Sequence, residues 1–179
     1  MSSGRSSVER VDIFDEDWNP TGEVLEKSEA ERQGKWHTAV CIGILNPKGE
    51  LLLQLRSPKK DKPNMWDISA GGHVQAGESL VQAAIREVRE EIGVDVTADQ
   101  LIEAGRGKST KSQHLFILFL ARLDLPIEAF ASSDEVAGVK YMPWRELAQM
   151  SADDMLVNHI WPSKAFKPLF DYLGKNEAK

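Results

Sequence analysis

Cysteine is all but missing from this 179-residue chain: Cys41 stands alone, so no internal disulfide can form. Its neighbours Ala39, Val40 and Ile42 read as a buried strand, which makes it a packing thiol and not a nucleophile. Long apolar runs are missing too. Nothing approaches membrane-spanning length, and the opening MSSGRSSVER holds no apolar signal-type region, so the expected location is the cytoplasm. An excess of positive charge is also lacking. The 22 Lys and Arg face 28 Asp and Glu for a net charge of −6, which leaves no basic stripe for a nucleic-acid polymer. A small phosphorylated ligand is not excluded, because metal ions can supply the positive charge. There is no repeat, low-complexity tract or linker. With 41% hydrophobic and 28% charged residues, the chain reads as a polar, disordered 1–7 followed by one domain over 8–179.

What is present is an alternation of short strands and helices. Alternating apolar and charged residues predict a strand over 8–14, then a turn at 19–22 and a short helix ending near Gly34. Residues 38–45 predict a buried strand, 46–49 a hairpin turn and 50–56 the returning strand. Further strands are expected at 101–106, 114–123 and 139–142, and helices at 144–150 and 163–173. The loop SPKKDKPN (57–64) is either a solvated surface or a phosphate collector through Lys59, Lys60 or Lys62. Arg56, ending a strand, is the better single candidate for a planar phosphate clamp. These elements together indicate an α/β domain.

The most specific signal lies at 72–94, GHVQAGESLVQAAIREVREEIGV. Ser79 and Gln82 form a capping box, while Leu80, Ala83, Ala84, Val88 and Ile92 make an apolar stripe. Gly93 supplies the left-handed stop, so a helix is predicted over 79–92. On it Glu87, Glu90 and Glu91 share one edge at i, i+3 and i+4. Like charges about 4 Å apart repel by about 4 kcal/mol at an effective dielectric near 20. Arg86 and Arg89 are expected to lie largely on other azimuths. A hard divalent cation removes the conflict, because it takes oxygen ligands from carboxylates and substrate phosphates.

This segment resembles the signature box of the Nudix hydrolases, matching all seven fixed identities and both aliphatic positions. At common residue frequencies such a register arises by chance at roughly one start in 10⁸. The resemblance implies a Nudix-type α/β/α sandwich with a mixed sheet and a catalytic loop-helix-loop. It implies hydrolysis of a diphosphate linkage in a nucleoside di- or triphosphate or a related nucleoside-diphosphate compound, with Mg²⁺ or Mn²⁺. Glu90 and Glu91 become the main metal ligands, Glu87 a further ligand or water-positioning group, and Gly72 a carbonyl ligand. Glu78 and Arg86 brace the loop against the helix. Glu135, on a loop far beyond the box, is a candidate base or additional ligand, with a pair to Lys140 as its structural alternative. The partner expected is a small diphosphate molecule, in a fold where homodimers are common.

The flanks also resemble the isopentenyl-diphosphate isomerase branch of this fold, in His37, in NPKGELLLQLRS and in the stretch from Trp66 to Ser79. That branch carries a catalytic cysteine where this chain has Gly71, and a glutamate pair where it has Ser112 and His114. Alkene protonation needs a sheltered acid, so hydrolysis is favoured. A third reading, a sensor that binds a nucleotide or ADP-ribose without turnover, conflicts with the intact glutamates. His37 and His73 flank the site as structural residues or as contacts to phosphate or a second metal; His114 and His159 carry no signal. Trp18, Trp36 and Trp66 are candidate platforms for the rest of the substrate, whereas Trp144 and Trp161 read as packing residues.

Overall fold

The computed structural model describes residues 8–60, 62–131, 133–149, 171–172 and 174–175. The anticipated disorder at 1–7, most of the helix at 163–173, His159 and Trp161 lie outside the described residues. The described chain runs β1 (Arg10–Phe14), β2 (Pro20–Glu26), α1 (Lys27–Arg32), β3 (Trp36–Leu45), β4 (Glu50–Arg56), β5 (Trp66–Ile68) and β6 (Ala70–His73). It continues through α2 (Leu80–Ile92), β7 (Ile102–Ser109), β8 (His114–Arg122), β9 (Val136–Pro143) and α3 (Trp144–Gln149).

All nine described strands join one mixed sheet with β3 at its centre. β8 runs parallel to β3 over its whole length, from His37↔His114 to Leu45↔Arg122, while β1, β4 and β6 meet β3 antiparallel. Side-chain alternation then sorts the core into two layers. Val40, Ile42 and Ile44 of β3 join Ile117, Phe119 and Ala121 of β8 beneath Ala83, Ala84, Val88 and Ile92 of α2. The opposite face collects Leu45, Leu51, Leu53, Phe116, Leu118 and Leu120 with Leu147 and Trp144 of α3. Helices on both faces of a mixed sheet give the expected α/β/α sandwich.

The early part of the chain departs from expectation. Reversal occurs at 15–19 and not at 19–22. Asp15 Oδ1 accepts from the N–H groups of Asp17 and Asn19 at 2.9 Å each, forming an Asx turn. Trp18 takes φ +71° in that turn, and Pro20 opens β2. The charged stretch is therefore a strand before it is a helix. Near the other end, β9 reaches beyond the expected 139–142, because it pairs with β4 from Val136 through Pro143.

Candidate active site

The acidic helix is built as its sequence dictates. Ser79 Oγ accepts from the Gln82 N–H at 3.2 Å and the Gln82 side chain accepts from the Ser79 N–H at 2.9 Å. Gly93 ends the helix at φ +74°. Its apolar stripe presses on the sheet, which leaves Glu87 and Glu91 at the margin of the core, 9% and 4% exposed. Burial pushes the Glu87 carboxyl up to about 7 against the pull of Arg86. Burial also raises Glu91, although Lys60, the Gly71 N–H and Gln54 oppose it.

Arg86 does not turn away from this edge. Its Nη1 reaches Glu87 at 2.6 Å and Glu90 at 3.2 Å. The rest of its guanidinium grips both oxygens of Glu78 at 2.9 Å and the His73 carbonyl at 2.9 Å. The expectation that both arginines face elsewhere is corrected for Arg86, because its long side chain folds back along the helix toward the glycine loop. Only Arg89 leaves the edge, to pair with Asp95. Hydrogen bonds donated to Glu78 raise the Arg86 guanidinium further above its ordinary value. One cation thus ties loop to helix and screens two of the three glutamates.

Glu91 faces the sheet. It accepts from the Gly71 N–H at 2.9 Å and from Gln54 Nε2 at 2.8 Å, and Lys60 Nζ lies 3.3 Å away. Lys60 also contacts Glu135, which β9's entry loop holds across the cleft. Burial opposes the charge on Lys60, yet its hydrogen bonds and attraction to Glu135 and Glu91 raise it overall. The structure therefore brings Glu135 to the acidic helix through Lys60 and not to Lys140, whose ammonium sits 4.1 Å over the Trp66 ring. Lys59 pairs with Asp134 in solvent. Arg56 is held by buried Asp67 at 3.2 Å and by the Lys62 carbonyl at 3.3 Å, while still lining the cleft.

The cleft has a volume of about 1120 Å³. Gly72, Glu87, Glu90, Glu91, Arg86, Lys60, Arg56 and Glu135 line it together with His73, His114 and Glu31. Gly72 has no room for a side chain: a Cβ there would stand 2.7 Å from Glu87 Oε2 and closer to the rest of that carboxyl. A divalent cation fits these residues, since the Lys60 ammonium already stands between the Glu91 and Glu135 carboxylates as a cationic surrogate. Lys60 was legible only as one lysine among three. Gln54, Glu31 and His114 were missed, because their partners are remote in sequence.

His37, His73 and His114 gather beside this edge. Burial lowers His37, and burial with Lys27 and the other two histidines pushes His73 down to about 2, so both rings are neutral at neutral pH. Cys41 lies opposite Gly71 on β3, its thiol pushed up to about 12 by burial and by Asp67 and Glu91.

A capped acidic helix, a glycine loop on its flank and a mixed sheet beneath define a loop-helix-loop α/β domain. The NUDIX domain model matches residues 35–160. Nudix hydrolase 3 of Arabidopsis thaliana is 34% identical over 151 residues, which span 77% of this chain and 20% of that protein. The chain thus corresponds to only a fifth of the plant protein's length. The crystal structure of DR0079 from Deinococcus radiodurans matches with a TM-score of 0.68 at 28% identity, covering 83% of this chain and 92% of that one. Isopentenyl-diphosphate Delta-isomerase of Citrobacter koseri is 42% identical over 91 residues, half of each chain. The chain belongs to the Nudix family. Among the described residues no helix is long and apolar enough to cross a membrane.

Proposed function

We propose that this protein hydrolyses the diphosphate linkage of a nucleoside di- or triphosphate, or of a related nucleoside-diphosphate compound, with Mg²⁺ or Mn²⁺. The observation that carries this reading is the convergence of Glu87, Glu90, Glu91 and Glu135 on one cleft from opposite walls. Glu90 and Glu91 would hold the ion, with Glu87 and the Gly72 carbonyl beside them. A divalent ion bound there supplies charge neutralisation for the pyrophosphate and activation of water. The protein's own part is positioning. Arg86 fixes the direction of Glu87 and Glu90, and the Gly71 N–H and Gln54 fix Glu91, while Glu135, lining the same cleft, would take a proton. Rigid placement of such groups supplies much of the catalysis of phosphoryl transfer.

Isomerisation is disfavoured by the same geometry. Gly71 offers no acid, and the thiol of its cross-strand neighbour Cys41 is held neutral. The test is a panel of nucleoside and prenyl diphosphates with Mg²⁺ or Mn²⁺, followed by release of phosphate or pyrophosphate. Glu90→Gln and Glu91→Gln should each lose at least about a hundredfold in turnover with the fold retained. Full activity in both, or indifference to chelator, refutes the assignment. Rearrangement of isopentenyl diphosphate would favour the isomerase, and ligand binding without product would favour a sensor.

A further inference from the structure

Ser57, one residue past the end of β4, is only 5% exposed although its side chain is polar. Each of its hydrogen-bonding groups is committed. Its N–H donates to the Glu135 carbonyl at 2.9 Å, and its Oγ donates to the Asp134 carbonyl at 2.7 Å. The same Oγ accepts from the Lys59 N–H at 3.2 Å, and the Ser57 carbonyl accepts from the Lys60 N–H at 3.1 Å. One residue thus closes the turn that carries Lys60 and grips two successive carbonyls of the loop that carries Glu135.

We propose that Ser57 is a positioning residue for the hydrolysis: it clasps the 57–60 turn to the 133–135 loop, so that Lys60 and Glu135 meet the acidic helix as one unit. The inference rests on the reading of Glu135 as the proton acceptor. A regular ladder does not supply this placement. The β4–β9 pairing slips by one residue between Leu55↔Gly138 and Arg56↔Val136, and β9 begins only at Val136. Such a bulge re-aims the chain at the end of a sheet. Beyond it, Ser133 Oγ accepts from the Glu135 N–H at 3.2 Å, which sets the local turn but not its distance from α2. Ser57 sets that distance.

The Glu135 side chain is 56% exposed, so without a tether it samples many rotamers. Lys60 Nζ is its tether, and that ammonium also reaches Glu91 Oε1 at 3.3 Å. Lys60 can bridge the two carboxylates only while its own backbone is fixed, which the Ser57 carbonyl does. Losing the Ser57 hydroxyl strands the Asp134 carbonyl and the Lys59 N–H, and leaves a single Ser57 backbone bond to the 133–135 loop. The exposed Lys59–Asp134 pair is no substitute, because solvated ion pairs hold little. Glu135 would then drift from the reacting water, and a displacement of about 1 Å in such a group costs up to about a hundredfold in rate.

Zero-length carbodiimide coupling of the metal-free full chain tests the clasp directly. It should join Lys60 Nζ to Glu135, and peptide mass spectrometry should find that product reduced at least about fivefold in Ser57→Ala with a native thermal melt. Should Ser57→Ala melt early, Ser57→Cys, nearly the same volume with a weaker donor, takes its place. With Mg²⁺ and the nucleoside diphosphate turned over fastest, Ser57→Ala should lower kcat about tenfold while KM stays within about twofold. In a Glu135→Gln background the same change should cost less than about twofold, because the group being positioned is already gone. An unchanged crosslink, or an equal kcat loss in both backgrounds, overturns the inference through Ser57 itself. Undiminished turnover in Glu135→Gln overturns it through the reading of Glu135, so the two failures are told apart.

Discussion

Gly72→Ala should show how tightly the acidic edge is fitted to the glycine loop. A methyl group at Gly72 would lie 2.7 Å from Glu87 Oε2 and nearer still to Oε1 and Cδ. Something has to move. The β6 backbone is fixed by its ladder to β3, from Ala39↔His73 to Ile42↔Ala70, so the yielding part is the Glu87 carboxylate. That group is 9% exposed and held by Arg86 at 2.6 Å, so displacing it breaks an ion pair at the core margin. Overpacking of this kind costs about 1–3 kcal/mol. For a domain of this size each kcal/mol lowers the thermal midpoint by about 2–4 °C. The assay is a pair of thermal melts within a double-mutant cycle. Gly72→Ala should destabilise the parent by the amount above and cost at least about tenfold in Mg²⁺ affinity. In a Glu87→Ala background, where the colliding atoms are gone, the same methyl should be nearly neutral. Equal destabilisation in both backgrounds would show that the strain lies in the loop backbone and would refute the steric argument.

Lys60→Met removes the ammonium that stands between Glu91 and Glu135. Metal-free protein should melt lower, because buried Glu91 loses its cation, while Mg²⁺ should bind about tenfold more tightly by calorimetry. Weaker Mg²⁺ binding would show that Lys60 assists the site and does not compete for it. Glu78 gives a pH prediction. Burial opposes its charge, but hydrogen bonds from Arg86 and the Gln75 N–H bring its folded pKa below the ordinary 4.5. A depressed carboxylate contributes stability above its unfolded pKa and loses it as pH falls through the folded value. Parent and Glu78→Gln should therefore differ most in urea unfolding near neutrality and converge below about pH 4; a constant gap would remove the Glu78–Arg86 pair from the account.

Local features were the legible ones. The helix over 80–92 carries its start in Ser79 and Gln82 and its stop in Gly93, so periodicity and capping fix it without tertiary help. The hairpin after β3 was equally plain, because Asn46 Oδ1 accepts from the Lys48 and Glu50 N–H groups within the turn itself. What stayed hidden depends on pairing between distant strands. Lys60 meets Glu91 and Glu135 only because β4, β5 and β9 close on one another. His114 looked empty of meaning because its partner His37 is aligned by parallel pairing, which leaves no local spacing to read. The Asx turn at Asp15 was misplaced by four residues because Asn-Pro-Thr-Gly is the stronger turn signal on composition alone.

The strand β6 serves both faces of the sheet beside the cleft. A strand alternates its side chains between faces, so neighbouring residues serve opposite layers. Gly72 pairs with Val40, which belongs to the core under α2, and there it leaves room for Glu87. Gly71 and His73 pair with Cys41 and Ala39 on the other face, and His73 there joins His37 and His114. The His73 carbonyl meanwhile anchors Arg86, which orients Glu87 and Glu90.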